Sequence, residues 1–409
     1  MEQLKRVKVF TDELKPGMFV SELDRSWDET DFLLQGFTVT DFEDVEHVKS
    51  QCEYVYVDFK DIQEFQAYKR QSANFIPKKN QVEEEQLHTY NLKKQLKPAL
   101  ARRRKTSHLM KSILDKIALS QDFDIQGVRQ TVKENVKSVL SNHEAMMMIT
   151  MLKSKSEDLA EHSLNVSILA IGFAQTLGYS RDQLEDIGMA ALLHDIGQVK
   201  VNDNITSKPG KLNQNERLEI EKHCQYGFDI LSSKTGLTPS CIDVVLTHHE
   251  RLDGTGYPRK ISDSSICRNA KIVSIVDAFD SLTSHQSYRK GMSVMDAYKI
   301  LVAGKKTHYD ESLVLKFIKW RSIYPIGSIV EMENGEVGIV VKSFEDHRLK
   351  PQVLLVLDEY KQPRQERLIN MHKMDLTPES RPYKIVRAYE NMAFGIDIQA
   401  YAEKGMVVQ

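Results

Sequence analysis

His248-His249-Glu250-Arg251-Leu252-Asp253-Gly254-Thr255-Gly256-Tyr257-Pro258 places paired imidazoles, acids, a base and a Gly-x-Gly-Tyr-Pro turn within eleven residues. That is more donor chemistry than a solvated loop needs. Working outward, Leu193-His194-Asp195-Ile196-Gly197 sets a second His/Asp pair at the end of an apolar helical segment. Ile275-Val276-Asp277-Ala278-Phe279-Asp280 places an acid inside an apolar run. Adjacent helical residues project about 100° apart, so His194 and Asp195 can serve one cation while the second carboxylate oxygen reaches another. Gly197 reads as the stop of a helix that runs from about Asp182.

Taken singly, these residues are ambiguous. His162, in Ala160-Glu161-His162-Ser163-Leu164, starts a helix whose buried face includes Val166, Leu169 and Phe173, where a histidine more often packs or caps. His223 follows on a helix that Asn213 and Glu216 would open as a capping box. Asp277 lies among Val273, Ile275, Val276 and Phe279, and a buried carboxylate needs a partner, either a metal or an arginine. Cys224 adjoins His223, but on a continuing helix its side chain points away and reads as packing.

Taken in order, His162, His194-Asp195, His223, His248-His249, Asp277 and the Gly-Tyr-Pro turn resemble the HD-GYP family of metal-dependent phosphodiesterases. That family hydrolyses the bacterial second messenger cyclic di-GMP. The resemblance implies a mainly α HD-type metallohydrolase domain and a first metal site from His162, His194, Asp195 and Asp277. It implies a second site from His223, His248 and His249, with Asp195 bridging. Some members hold a third metal through an acid four residues before the first histidine. Here that residue is Asp158, shorter than the expected Glu. Imidazole and carboxylate donors suit iron or manganese, and also zinc, cobalt or nickel. Two cations sharing a water lower its pKa from roughly 15.7 toward about 7, so the expected reaction is attack of a metal-bridging hydroxide on the phosphodiester, giving pGpG and, after a second cut, GMP. Asp195 and Gln198 are the catalytic candidates; Arg289, Lys208, Lys211 and Gln198 are the substrate-binding ones. Gly254, Gly256, Tyr257 and Pro258 form the loop that the family uses toward partner domains, and glycine there permits positive φ and close backbone approach.

Two further stretches depart from the family's pattern. Gln198 stands where the family has Lys after the His-Asp-x-Gly stretch, and Gln286-Ser287-Tyr288-Arg289 stands for Arg-Pro-Tyr-Arg. A glutamine donates a hydrogen bond but carries no charge and is no useful acid. Lys200 is a candidate replacement for the lost charge. The alternative reading is therefore a weakly active or inactive metal-stabilised receptor for cyclic di-GMP that signals through its flanking modules. A third reading keeps hydrolysis but exchanges the substrate for another cyclic dinucleotide or a nucleotide.

The 409 residues carry 58 acids against 56 bases, a balance that requires no DNA or anionic-membrane partner. Met1-Glu2-Gln3-Leu4-Lys5-Arg6 lacks a signal-peptide core, and no apolar run approaches the ~20 residues of a membrane span. Cys52, Cys224, Cys241 and Cys267 are scattered, as in a reduced, cytoplasmic protein. Residues 1–75 read as a small α+β module: Arg6-Val7-Lys8-Val9-Phe10 and Tyr54-Val55-Tyr56-Val57-Asp58 alternate as strands, and Lys15-Pro16-Gly17-Met18 is a turn. The module resembles one common ahead of HD-GYP domains, with Trp27 and Phe32 read as core. Residues 76–149 read as polar linker and helices, with Arg102-Arg103-Arg104-Lys105 as solvated charge and Met146-Met147-Met148 as core filler. The helical catalytic region spans 150–322, a small β module 323–375, and a tail 376–409. The oligomeric state is left open, and the helical linker is compatible with a homodimer.

Overall fold

The computed structural model describes residues 5–11, 14–25, 36–40, 42–59, 79–152, 158–208, 210–284, 291–344, 347–373, 375–377, 381–389 and 392–399. Two compact units divide at Glu84 and Glu85. The first contains β1 (Lys5–Phe10), β2 (Phe19–Leu23), β3 (Phe37–Thr38), α1 (Phe42–Gln51) and β4 (Tyr54–Phe59). The period-two valines dictate the pairing, with Val7 opposite Val57 and Val9 opposite Val55 in an antiparallel β1–β4 ladder. The sheet runs β1-β4-β2-β3. Val45 and Val48 of α1, one turn apart, pack on Val9, Val20, Val55 and Val57. The Lys15–Met18 turn is present, with Gly17 at φ +98°. Trp27 and Phe32 lie outside the described residues.

Helix α2 (Lys79–Ala118) replaces the polar-linker part of the 76–149 reading over those residues. From Leu96 onward the buried positions Leu96, Ala99, Leu100, Arg103, Met110, Ile113 and Ile117 recur at helical spacing. Arg103 falls in that stripe and is buried rather than solvated. Its guanidinium donates to the Ile149 and Leu152 carbonyls at 2.9 and 3.1 Å and to Asn165 Oδ1 at 2.9 Å, and it pairs with Glu161. Those carbonyls end one helix and Glu161 begins the next, so the cation and its acid sit where the helix dipoles favour them. Charge composition alone hid this, because a charged residue in a core stripe looks like any other in a count.

The remaining helices are α3 (Ile125–Ser141), α4 (His143–Ile149), α5 (Leu159–Thr176), α6 (Arg181–Leu193), α7 (Asp203–Thr206), α8 (Gln214–Glu221), α9 (His223–Ser232), α10 (Pro239–Thr247), α11 (Arg268–Thr283), α12 (Val294–Ala303) and α13 (Glu311–Arg321). Their starts follow the caps in the sequence. Ser180 and Gln183 form a capping box on α6, Asn213 and Glu216 the expected one on α8, and Thr238 caps α10 with Pro239 in its first turn. α5 is the central helix, buried on nearly every side, with α3, α6 and α11 packed on it. Met146, Met147 and Met148 are core filler as expected, each fully buried side chain stabilising by roughly 1.5–3 kcal/mol.

Two local readings change. α8 ends at Glu221, and His223 opens a separate helix rather than continuing it. Gly197 lies in a 3-10 turn (Ile196–Lys200), and its requirement is close approach rather than helix termination. A Cβ on Gly197 would lie 2.1 Å from the His223 carbonyl oxygen and 2.4 Å from the Gly227 nitrogen. Only a glycine lets this turn rest on the α9 backbone.

The C-terminal strands β5 (Ile329–Met332), β6 (Val337–Lys342), β7 (Gln352–Leu357), β8 (Pro363–Asn370) and β9 (Ile385–Tyr389) form an antiparallel sheet in the order β8-β7-β6-β5-β9. β9 falls in the segment read as a tail; its exposed Val386, Arg387 and Ala388 gave no alternation to read. The sheet has two apolar faces. Ile329, Ile339, Val341 and Leu354 join the helical core, while Val330, Val340, Val353, Leu355 and Ile369 form a smaller core with Tyr383 and Ile385. No helix among the described residues is long and apolar enough to cross a membrane.

Candidate metal centre

The donor residues arrive from helix ends. His162 stands in the first turns of α5, His194 is the C-cap of α6 with Asp195 following, and His223 is the first residue of α9. His248 is the C-cap of α10 with His249 beyond it, and Asp277 projects from the middle of α11. His194, His223 and His248 are fully buried, and Asp195 and Asp277 nearly so. Among the described residues three donor groups arise, each within one cation's reach: His162, His194 and Asp277; His194, Asp195 and His248; and His223, Cys224, His248 and His249.

Asp195 joins the two ends. Its Oδ2 lies 3.4 Å from His194 Nε2 and 3.8 Å from His162 Nε2, whereas its Oδ1 lies 3.1 Å from His223 Nε2 and 3.6 Å from His248 Nε2. Asp277 Oδ1 is 3.1 Å from His162 Nε2 and 3.7 Å from His194 Nε2. The opposite ring nitrogens are committed elsewhere. Nδ1 of His194 donates to the Ala191 carbonyl at 2.8 Å, that of His223 to Ile220 at 2.7 Å, and that of His248 to Val245 at 3.0 Å. Each ring therefore turns its Nε2 lone pair inward. His194 Nε2 and Asp195 Oδ1 are buried without a hydrogen-bond partner, a costly state that a cation would relieve.

The electrostatics have one origin, acids among imidazoles in a dry site. Burial opposes charge on His162, but Asp277 and Asp280 outweigh it and raise its pKa well above the usual value. Burial likewise opposes charge on His194, yet Asp195 and Asp277 push it up to about 9. Burial works against ionised Asp195 and Asp277 too, and the surrounding histidines hold both well below the usual carboxylate range. At the far end, burial lowers His248 and, reinforced by His248 and His223, holds His249 well below its normal value. Protons and a metal ion compete for the same lone pairs, so the donor set fits divalent cations.

The other expected residues divide. Gln198 reaches the centre: its amide donates to Asp195 Oδ2 at 2.5 Å. Asp158 does not. Its carboxylate caps α5 through the Glu161 nitrogen at 2.9 Å and pairs with Lys111 at 2.7 Å. Lys208 is tied to Glu216 at 2.7 Å, Lys211 is exposed, and Lys200 donates to the Ile117 carbonyl at 2.8 Å. Arg289 and Gln286 lie outside the described residues.

The Gly-Tyr-Pro loop folds onto the second end. Buried Glu250 accepts from the Arg259 and Ile261 nitrogens at 2.6 and 3.2 Å, and Asp253 accepts from the Thr255 nitrogen at 2.9 Å. Gly254 has φ +74°, and a Cβ on Gly256 would lie 2.6 Å from the His249 carbonyl oxygen. That turn lays the Tyr257 ring 4.8 Å from His249 and 6.2 Å from His223, centroid to centroid, with Pro258 next in the loop.

Two residues were missed. Asp280 accepts a 2.9 Å hydrogen bond from His162 Nδ1, orienting that ring. Its signal was present, since Asp277 and Asp280 are one helical turn apart. Cys224, expected to point away, places Sγ 3.4 Å from His223 Nε2.

Comparison with known proteins concerns the family of the chain. Residues 146–313 match the family model described as HD domain, and residues 6–128 match a domain of unknown function, DUF3391. The chain is 31% identical over 362 residues to the cyclic di-GMP phosphodiesterase PA4108 of Pseudomonas aeruginosa, covering 86% of this chain and 84% of that protein. It is 32% identical over 188 residues to the 3'3'-cGAMP-specific phosphodiesterase 2 of Vibrio cholerae, covering 46% of this chain and 34% of that one. Bd1817, an HDG"Y"P protein from Bdellovibrio bacteriovorus, aligns with a TM-score of 0.48 at 15% identity, covering 76% of this chain and 98% of that one.

Proposed function

This chain belongs to the HD-GYP family of cyclic di-GMP phosphodiesterases, and we propose that it hydrolyses cyclic di-GMP to linear pGpG, with GMP as the product of a second cut. Residues 150–322 are the catalytic region in this reading. One observation carries it: the two oxygens of Asp195 face different sets of histidines. A carboxylate so placed could serve two cations, one that His162, His194 and Asp277 would hold and another that His223, His248 and His249 would hold. When bound, such cations, iron or manganese in this reading, would supply a water of lowered pKa and neutralise phosphate charge. Water adds across the P–O3′ bond: its oxygen joins phosphorus and a proton goes to the departing ribose oxygen.

The chain's own residues prepare that step. Asp280 fixes the His162 ring, and Gln198 holds Asp195 by its Oδ2. Tyr257 covers His249 and narrows solvent access at the second end. Asp158, engaged with Lys111, gives little support to a third metal. The loop around Gly254 and Gly256 remains the candidate contact for a protein partner, and homodimerisation a separate expectation.

A receptor with little turnover is the second reading. It is favoured by Lys200 and Lys208 being engaged with other partners, so neither replaces the charge absent at Gln198. The deciding experiment is anaerobic purification, loading with iron or manganese, and chromatography after incubation with cyclic di-GMP, alongside 3'3'-cGAMP. Appearance of pGpG or GMP supports the enzyme. Intact cyclic di-GMP with both metals bound sinks it in favour of the receptor, and preferential loss of 3'3'-cGAMP reassigns the substrate.

A further inference from the structure

Cys224 occupies a place that hydrolysis as described does not use. It is fully buried at the start of α9, and its Sγ lies 3.4 Å from His223 Nε2. Sulfur is one of four donor atoms, with those of His223, His248 and His249, that all lie within 4.8 Å of one another. His223 Nε2 is also 3.4 Å from His248 Nε2. With metal–nitrogen bonds of about 2.0–2.1 Å and a metal–sulfur bond of about 2.3 Å, two ligands of one cation stand roughly 3.1 Å apart at a right angle and about 3.6 Å apart at the tetrahedral angle. The nitrogen–sulfur separation falls inside that interval. Asp195 Oδ1, buried and without a hydrogen bond, points into the same space from 3.1 Å away from His223 Nε2.

The local chain explains how a neighbouring pair can share one ion. Lys222 breaks α8 from α9, so His223 and Cys224 are the first two residues of a new helix. The His223 ring is turned back by its bond to Ile220, and the short cysteine side chain meets it from the next position. A lone packing thiol would need none of this convergence.

Resting on the two-cation reading above, we propose that Cys224 binds the cation held by His223, His248 and His249, as a thiolate. The sulfur's proton leaves to solvent as the metal–sulfur bond forms. The two cation positions then differ in kind. The one at His162, His194 and Asp277 has nitrogen and oxygen donors only, and the other adds a soft donor that favours zinc, iron or cobalt over manganese.

The test uses the full chain loaded with cobalt(II), read by absorption and by metal content. The expected result is a sulfur-to-cobalt charge-transfer band in the near ultraviolet that Cys224→Ser abolishes and Cys241→Ser retains. Zinc-loaded wild-type protein, which needs no variant, should show a sulfur neighbour at about 2.3 Å by X-ray absorption. Two cobalt equivalents bound with no such band, or a zinc shell without sulfur, overturns the thiolate while leaving the two-cation reading standing. Failure to take up any cobalt or zinc overturns both.

Discussion

The two ends of the centre are built differently. At the first end, side chain and main chain share the support: Asp280 holds His162, the Ala191 carbonyl holds His194, and the nearby acids raise both rings above their usual pKa. At the second end the support is main chain, through the Ile220 carbonyl at His223 and the Val245 carbonyl at His248. Burial opposes charge on His223 but Asp195 outweighs it and raises that ring, while burial leaves His248 and His249 lowered. The first end thus has a carboxylate orienting one of its rings, whereas the oriented rings of the second rely on backbone carbonyls. The first should therefore yield to single side-chain changes, and the second to changes in loop and helix geometry.

Asp195→Ala attacks what the ends share and carries the largest expected effect. Both metals and activity should fall together, measured by elemental analysis and product chromatography; full metal content would contradict the bridge. Next, Asp277→Asn should lose the first metal and His249→Ala the second, each leaving one equivalent. If either variant loses both, the ends are not separable and the comparison fails.

Asp280→Asn is finer. It should cost about 10–100-fold in affinity at the first end, as for other residues that orient a ligating histidine, with the second end unchanged in metal titration. The smallest effect lies away from the centre. Glu134 on α3 is held down at about 2 by hydrogen bonds from Gln130 and Lys105 and by pairing with Arg102 of α2. Its folded pKa lies below the unfolded one, so its stabilisation is present above about pH 4.5 and lost as pH falls toward 2. Glu134→Gln should lower stability at pH 7 by under about 1 kcal/mol, because the pair is partly solvated. In urea titrations the gap to wild type should close below pH 4.5, which separates acid effects on the fold from those on the centre.

Much of this was legible because donors at helix ends coincide with the chain's punctuation. Caps at Ser180, Asn213 and Thr238 place α6, α8 and α10, and thereby His194 and His248. Cys224 was not legible, because neighbouring helical positions project about 100° apart and the contact arises from the way the His223 ring is turned back toward Ile220. Arg103 was hidden by its charged neighbours, although it falls in step with Leu96, Leu100 and Met110. Asp280 was legible and passed over, since a second acid one turn from a ligand invites the question of what it holds.

The contact at Gly197 bears on how such a centre could be moved. The spacing between its two ends is inherited from two stretches of main chain touching, the turn after Asp195 and the start of α9. Any larger residue at 197 would push α9 away and spoil the centre with every ligand still in place. A designer transplanting this site into another helical scaffold would have to copy Gly197 and Gly227 before copying a single histidine.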